Sequence, residues 1–158
     1  MRFRPFAADE LPLLQDLHAD RAVQRYIEPD GVAWTNEALA AKLASYRADF
    51  HAHGWSKFAV FDERATFVGR AGFARFETGE LELGYTFRRD CWGRGYATEA
   101  ATALLTWIRA TAPKEPIVAF AMVDNAASIA VLTKIGLRRE ADRFVHGAPH
   151  AWFRDVRA

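Results

Sequence analysis

Residues whose types and spacing could bind phosphate occur in one glycine-containing stretch, residues 91–100 (CWGRGYATEA). The stretch follows a predicted strand and precedes a predicted helix, whose N-terminus offers unpaired N–H groups and a partial positive charge. Gly93 and Gly95 let the backbone approach a ligand closely, and Arg94 adds a cation. Two hypotheses follow with about equal weight: an anion-binding loop, or a glycine turn that only starts a helix.

Two common nucleotide-binding loops do not fit this stretch. A dinucleotide-binding fingerprint would need a third glycine where Thr98 stands. A Walker loop would need Gly-Lys followed by Ser or Thr, which the stretch lacks. The pattern therefore disfavours a nucleotide-dependent oxidoreductase and a nucleoside triphosphatase.

A second helix start carries polar side chains that could face a ligand. Asn125 and Ser128 follow a short apolar strand, Ile117 to Met122. An ordinary N-cap explains Asn125 when it is considered alone. If the two strands that precede these helix starts are parallel neighbours, both helices begin at the same sheet edge, where open α/β sheets bind ligands. One start then suits a pyrophosphate, and the other offers an amide and a hydroxyl to an amide-rich arm.

The elements that must position these residues follow from hydrophobic periodicity. Helices are predicted after the caps Asp9 and Thr35, after Gly95 as far as Pro113, and from Asn125 to Gly136. Strands are predicted at 57–61, 66–76, 80–87, 117–122, 137–145 and 151–156. Along the chain, helices come first, then an antiparallel meander, then strand–helix–strand–helix–strand–strand. This order predicts an α+β, or mixed α/β, fold with three layers.

Composition and charge exclude several classes of protein. The 158 residues suit a single domain spanning 1–158, and a net charge of +1 gives no sign of a nucleic-acid or membrane-surface partner. The single cysteine, the lack of an apolar signal core and the lack of a long apolar run predict a cytoplasmic protein. The histidines show no metal-ligand spacing, so we expect no metal and most of them on the surface.

Several motifs together resemble the GNAT (GCN5-related) N-acetyltransferases, and most closely their ribosomal-protein-alanine branch. The motifs are Glu82-Leu-Gly-Tyr85-Thr86-Phe87, Trp92-Gly93-Arg94-Gly95-Tyr96-Ala97-Thr98-Glu-Ala, Asn125-x-x-Ser128 and Lys134-Ile-Gly136-Leu137. They are specific in combination and weak apart, and the resemblance covers most of the chain. It implies a splayed, mostly antiparallel sheet flanked by helices, with acetyl-coenzyme A lying where the fourth and fifth strands separate.

The resemblance also implies roles for individual residues. The backbone N–H groups of Arg94, Gly95, Ala97 and Thr98 would meet the pyrophosphate, and the backbone of 85–87 would pair with the pantetheine arm. The full set of expected cofactor-binding residues is Tyr85, Thr86, Phe87, Trp92, Gly93, Arg94, Gly95, Tyr96, Ala97, Thr98, Asn125, Ser128 and Lys134. The expected partner is an amine acceptor, a small molecule or a protein N-terminus, and the expected state is a monomer or a homodimer.

Glu82 and Ser128 are the candidate catalytic residues. Glu82 lies on the less apolar side of its strand and could remove a proton from the amine, bind the cationic amine, or simply be solvated. Many members of the family carry a tyrosine, the acid for the leaving thiol, where this sequence has Leu132. That departure leaves Ser128 or water as the proton donor. It also keeps open an alternative function, a non-catalytic acyl-coenzyme A sensor or interaction module.

Overall fold

A computed structural model describes residues 1–156 as a sheet with helices on its faces. In chain order the strands are β1 (Arg2–Arg4), β2 (Lys57–Phe61), β3 (Phe67–Arg75), β4 (Leu81–Phe87), β5 (Ile117–Met122), β6 (Arg138–Arg139), β7 (Arg143–Val145) and β8 (Ala148–Arg154). The helices are α1 (Leu11–Ala19), α2 (Arg21–Gln24), α3 (Asn36–His53), α4 (Tyr96–Thr111) and α5 (Ala126–Lys134). A short 3₁₀ turn, Arg89–Cys91, precedes the glycine loop.

The strand order is β1-β2-β3-β4-β5-β8-β6, and β7 pairs with β8. All of these pairs are antiparallel except β4 with β5, which are parallel because α4 carries the chain back between them. That parallel ladder contains only the pairs Leu81–Ile117 and Glu82–Val118. The two strands then separate, which opens a wedge in the middle of the sheet.

Alternating residues of β2 belong to two cores, one on each face of the sheet. Phe58 and Val60 join the larger cluster, to which α4 contributes Ile108 and α5 contributes Leu132. Ala59 joins the smaller cluster with Leu39 and other residues of the α1–α3 side. The predicted mixed α/β architecture, an open and mostly antiparallel sheet flanked by helices, is therefore confirmed.

One helix cap confirms the sequence prediction, and another corrects it. The Thr35 hydroxyl accepts a hydrogen bond from the Ala38 amide at 3.2 Å, as predicted. Asp9 does not cap α1. The cap position is Glu10, whose carboxylate instead accepts hydrogen bonds from Arg4 and from the Ala7 amide. Because the Glu10 side chain forms an ion pair with Arg4 of β1, it does not bind the N-terminus of α1.

The last part of the sheet differs from the prediction. The expected strand 137–145 is divided into β6 and β7, which pair with opposite ends of β8. Glu140 lies between them and binds arginines from three positions, Arg138, Arg143 and Arg154. β8 begins at Ala148, earlier than expected, because the two preceding residues form a tight turn in which both φ angles are positive.

The prediction that most histidines lie on the surface is confirmed by His51, His53 and His146, whereas His18 and His150 are buried. His18 is 1% exposed and His150 is 4% exposed. The His18 ring centre lies 4.5 Å from that of Trp34, and the His150 ring centre lies 5.4 Å from that of Phe120. Within residues 1–156, none of the helices combines the length and the apolar character that a bilayer span requires.

Candidate active site

The separation of β4 from β5 leaves backbone groups of β4 facing an open wedge. The Leu81 amide donates to the Pro116 carbonyl at 2.9 Å, on the β5 side of the strand. Because alternate residues of a strand present their amides to the same neighbour, Leu83 and Tyr85 face that side too. The ladder has already ended there, so an extended ligand can pair with this edge as an added strand.

The glycine loop lies beside this edge. Gly93 and Gly95 adopt φ angles of 71° and 84°, in the left-handed region that favours glycine. α4 begins at Tyr96, and no side chain caps it. The first-turn N–H groups, including those of Ala97 and Thr98, therefore have no capping oxygen, and such an end binds an anion.

The start of α5 closes the other side of the wedge. The Asn125 side-chain oxygen accepts a hydrogen bond from the Ser128 amide at 3.1 Å, so the predicted N-cap is confirmed. The Ser128 hydroxyl lies 2.9 Å from the Tyr85 hydroxyl, which also donates to the Ser128 carbonyl at 3.3 Å. Burial raises the pKa of Tyr85 to about 12, so this hydroxyl keeps its proton at neutral pH.

Tyr85 places a hydroxyl beside Ser128, whereas the resemblance to the family led us to look for a tyrosine at position 132. Leu132, at the expected tyrosine position, is 1% exposed and belongs to the core. Tyr85 reaches Ser128 from β4 instead, although only its backbone was assigned a role from the sequence. The alternation of β4 in the sequence indicated that the Tyr85 side chain points to the apolar side of the strand. No local pattern could reveal its contact with Ser128.

Glu82, Gly84 and Thr86 lie on the other face of β4, towards α1 and α3. The Glu82 carboxylate forms an ion pair with Lys57 at 3.7 Å, and the Lys57 ammonium also donates to the Gly72 carbonyl at 3.2 Å. Gly84 leaves room for this lysine, because a Cβ at that position would overlap the ammonium group. Gly72 of β3 pairs with Lys57 of β2 on one side and with Gly84 of β4 on the other, which brings Lys57 opposite Gly84 across β3.

Lys57 is a candidate functional residue that sequence reasoning missed. Burial lowers its pKa to about 8, while the charge of Glu82 opposes that shift. A lysine that opens an otherwise apolar strand was the available signal. Its position beside Glu82 depends on the β2–β3–β4 register, which sequence alone did not supply.

One cavity of about 920 Å³ collects most of the predicted site residues. Its lining includes Glu82, Tyr85, Thr86, Phe87, Trp92, Gly93, Gly95, Tyr96, Ala97, Thr98, Asn125 and Ser128. Arg94 lies outside this lining, with its guanidinium 5.3 Å from the centre of the Tyr96 ring. Lys134 also lies outside it, exposed in the last turn of α5. In residues 1–156, no three His, Cys, Asp or Glu side chains form a group that could hold a metal ion.

Comparisons with known proteins agree with this geometry. The sequence profile of the acetyltransferase (GNAT) domain matches residues 1–138. YnaD of Bacillus subtilis (strain 168), an uncharacterised N-acetyltransferase, is 30% identical over 139 residues, which cover 87% of this chain and 78% of the relative.

Solved acetyltransferase structures share the fold. One from Agrobacterium tumefaciens strain C58 has a TM-score of 0.81 at 25% identity, covering 97% of this chain and 88% of its own. RimL, a ribosomal L7/L12 α-N-protein acetyltransferase in complex with coenzyme A, has a TM-score of 0.80 at 18% identity, covering 98% and 92% of the two chains. At that identity the second likeness concerns the fold alone.

Proposed function

This chain belongs to the GNAT acetyltransferase family of acetyl-coenzyme A-dependent acyltransferases, and on that premise we propose that it acetylates a primary amine by direct attack in a ternary complex. The observation that carries the proposal is the early end of the β4–β5 ladder beside the uncapped start of α4. An extended, amide-rich molecule with a pyrophosphate matches both features, and acetyl-coenzyme A has that composition.

The residues present fit acetyl-coenzyme A. The first-turn amides of α4 and the glycine loop, from Gly93 to Thr98, would hold the pyrophosphate. The free edge of β4 at Leu83 and Tyr85 would pair with the pantetheine arm, and Asn125 would face the same arm. When bound, the coenzyme supplies a thioester that is already activated towards amines.

The amine must lose a proton as its nitrogen bonds to the acetyl carbon. We assign that proton to Glu82, which receives it directly or through a water molecule. Lys57 supports this role, because its ammonium holds the carboxylate from one side at 3.7 Å. A β4 amide that faces the wedge would polarise the acetyl carbonyl.

The carbon–sulfur bond breaks as the carbon–nitrogen bond forms, and the departing thiolate takes up a proton. We assign Ser128 as the donor, with Tyr85 restoring the serine proton through the 2.9 Å hydrogen bond between their hydroxyls. Tyr85 suits this role because its raised pKa, about 12, keeps it protonated before each turnover. Solvent then returns a proton to Tyr85, and Glu82 releases its own.

The test measures thiol release from acetyl-coenzyme A with a panel of primary amines, small molecules and peptide N-termini together. Mass spectrometry identifies which amine has gained an acetyl group. Amine-dependent thiol release with a matching acetylated product supports the proposal. Tight coenzyme binding with no thiol release for any amine would instead indicate the sensor or interaction module.

A further inference from the structure

A basic recess, formed by Trp34, Lys42, Tyr46 and Arg70, extends the cavity from Glu82 towards α1 and α3. Arg70 lies on β3 and is 7% exposed. The Lys42 ammonium lies 3.8 Å from the centre of the Trp34 ring, and the Arg70 guanidinium lies 5.9 Å from it. Two cations therefore share one aromatic wall inside the cavity that Glu82 also lines.

A chain of buried hydrogen bonds fixes the direction of Arg70. Its Nε donates to His18 Nε2 at 3.2 Å, and His18 Nδ1 lies 2.9 Å from Gln24 Oε1. Because His18 Nε2 accepts, Nδ1 must carry the ring proton and donate to Gln24. Burial lowers the pKa of His18 to about 3, which keeps the ring neutral and this arrangement intact. Nε is thus occupied, while the terminal nitrogens of Arg70 form no hydrogen bond with any of residues 1–156.

The two cations of the recess form no ion pair with a carboxylate in the described part of the chain. Among the ion pairs within residues 1–156, none includes Arg70 or Lys42. Glu28 and Glu82 are nearby acids, but neither pairs with these two cations. The Glu28 carboxylate accepts the Trp34 indole N–H at 2.6 Å, and the Glu82 carboxylate pairs with Lys57. Buried charges are ordinarily paired, so an unpaired guanidinium at this depth favours an anionic ligand.

We propose that the acceptor is a small primary amine that also carries an acidic group, a carboxylate or a phosphonate, which Arg70 and Lys42 bind. The inference rests on the proposed function, since the amine of the same molecule would face Glu82. The recess suits a small molecule because β3 forms its floor, and α1 and α3 close it through His18 and Tyr46. Glu82 and the two cations line the same cavity, so their opposite charges would orient such a molecule for attack.

The first experiment compares amines that differ only in the acidic group. The probes are β-alanine against β-alaninamide, and 2-aminoethylphosphonate against ethanolamine, at matched concentrations of unprotonated amine. Charge-assisted hydrogen bonds should favour the acid over its neutral counterpart by about ten-fold or more in kcat/KM. Lys42→Gln and Arg70→Gln should remove that preference. Arg47→Gln, an exposed change on the same helix as Lys42, should keep it.

The second experiment measures binding without turnover. N-acetyl-β-alanine and its amide are titrated in the presence of coenzyme A while tryptophan fluorescence is followed. Lys42 and Arg70 both lie against Trp34, so acid binding should change a signal that Trp34→Phe removes. Arg70→Gln should weaken binding of the acid and leave binding of the amide unchanged, and Lys42→Gln carries the same test if the buried variant does not fold.

The outcomes separate this inference from the proposed function. Acetylation of amides or of a neutral tripeptide as fast as any acid, with no effect of Lys42→Gln, overturns the inference while acetyl transfer stands. Acid binding that depends on Arg70 and Lys42, with no amine ever acetylated, shows that the recess binds acids and overturns both the proposed function and the acceptor inferred from it. Equal binding of acid and amide in the wild-type protein overturns the inference, whatever the turnover.

Discussion

Tyr85→Phe removes the hydroxyl assigned to proton delivery and keeps the ring, whose centre lies 6.5 Å from that of Phe87. The lost contact is the 2.9 Å hydrogen bond to the Ser128 hydroxyl. A general acid typically contributes about 100- to 10,000-fold, so kcat should fall within that range. The free energy of unfolding should fall by only about 1 kcal/mol, the net contribution of one hydrogen bond.

A double-mutant cycle tests whether the two hydroxyls act as one relay. Tyr85→Phe, Ser128→Ala and the double variant are compared by thiol release, with coenzyme affinity measured separately by calorimetry. Residues that act as a unit are not additive, so the double variant should lose little more than the more damaging single variant. The loss should lie mainly in kcat, because backbone groups of β4 and α4 would hold most of the coenzyme, whereas Ser128, although also expected beside the coenzyme, would act on the departing sulfur.

Tyr26→Phe is the matched control, since Tyr26 lines the same cavity and its ring centre lies 6.4 Å from that of Trp92. It should leave kcat close to that of the wild type. A loss of two-fold or less in Tyr85→Phe would refute the assignment of this hydroxyl to proton delivery. Losses that multiply in the double variant would show that Tyr85 and Ser128 act separately.

Three further predictions concern charge, coenzyme binding and acid stability. Glu82→Gln should lower kcat/KM for the amine by about 100-fold or more without weakening coenzyme binding. Because the charge of Glu82 raises the pKa of Lys57, the same change should move that pKa further below about 8. A loss of only two-fold in kcat/KM would show that Glu82 takes no part in proton transfer. Gly95→Val should weaken acetyl-coenzyme A binding measured by calorimetry. The control is Gly79→Val, since Gly79 also has a positive φ but lies in a distant turn, and this variant should bind the coenzyme as the wild type does. Equal affinities of Gly95→Val and the wild type would show that the coenzyme binds elsewhere. The pKa of His18 is lowered to about 3, so this residue binds more protons in the unfolded state, and the free energy of unfolding should fall as pH drops from 6.5 towards 3. In urea titrations the free energy of unfolding of His18→Gln should fall less steeply over the same range. Parallel curves for the two proteins would contradict this prediction.

Much of the fold followed from local patterns. The alternation of β4 and the apolar run of β5 predicted both strands, and the structure places them at Leu81–Phe87 and Ile117–Met122. Asn125 and Thr35 predicted helix starts because a short polar side chain binds the amide three residues later. Such features depend on neighbouring residues alone, so the sequence was sufficient for them.

Predictions failed where a distant or turn-specific interaction decided the outcome. Asp9 does not cap α1, because the cap position falls on Glu10, whose carboxylate binds Arg4 of β1 instead of the helix terminus. The start of β8 moved because His146 and Gly147 form a turn with positive φ angles, and His-Gly is a weak signal for such a turn. His18 is buried by contacts with Gln24 and with Arg70, which composition could not reveal.

The sequence by itself determined which residues could bind a phosphate and where the helices and strands lie, because both depend on chemistry within a few positions. Only the tertiary structure decided which side chains meet. The Tyr85–Ser128 contact spans 43 positions, the Lys57–Glu82 pair spans 25, and the His18–Arg70 contact spans 52. These contacts depend on the register of the strands and on the early end of the β4–β5 ladder. A shift of one residue in register would turn each side chain of a strand to the opposite face of the sheet.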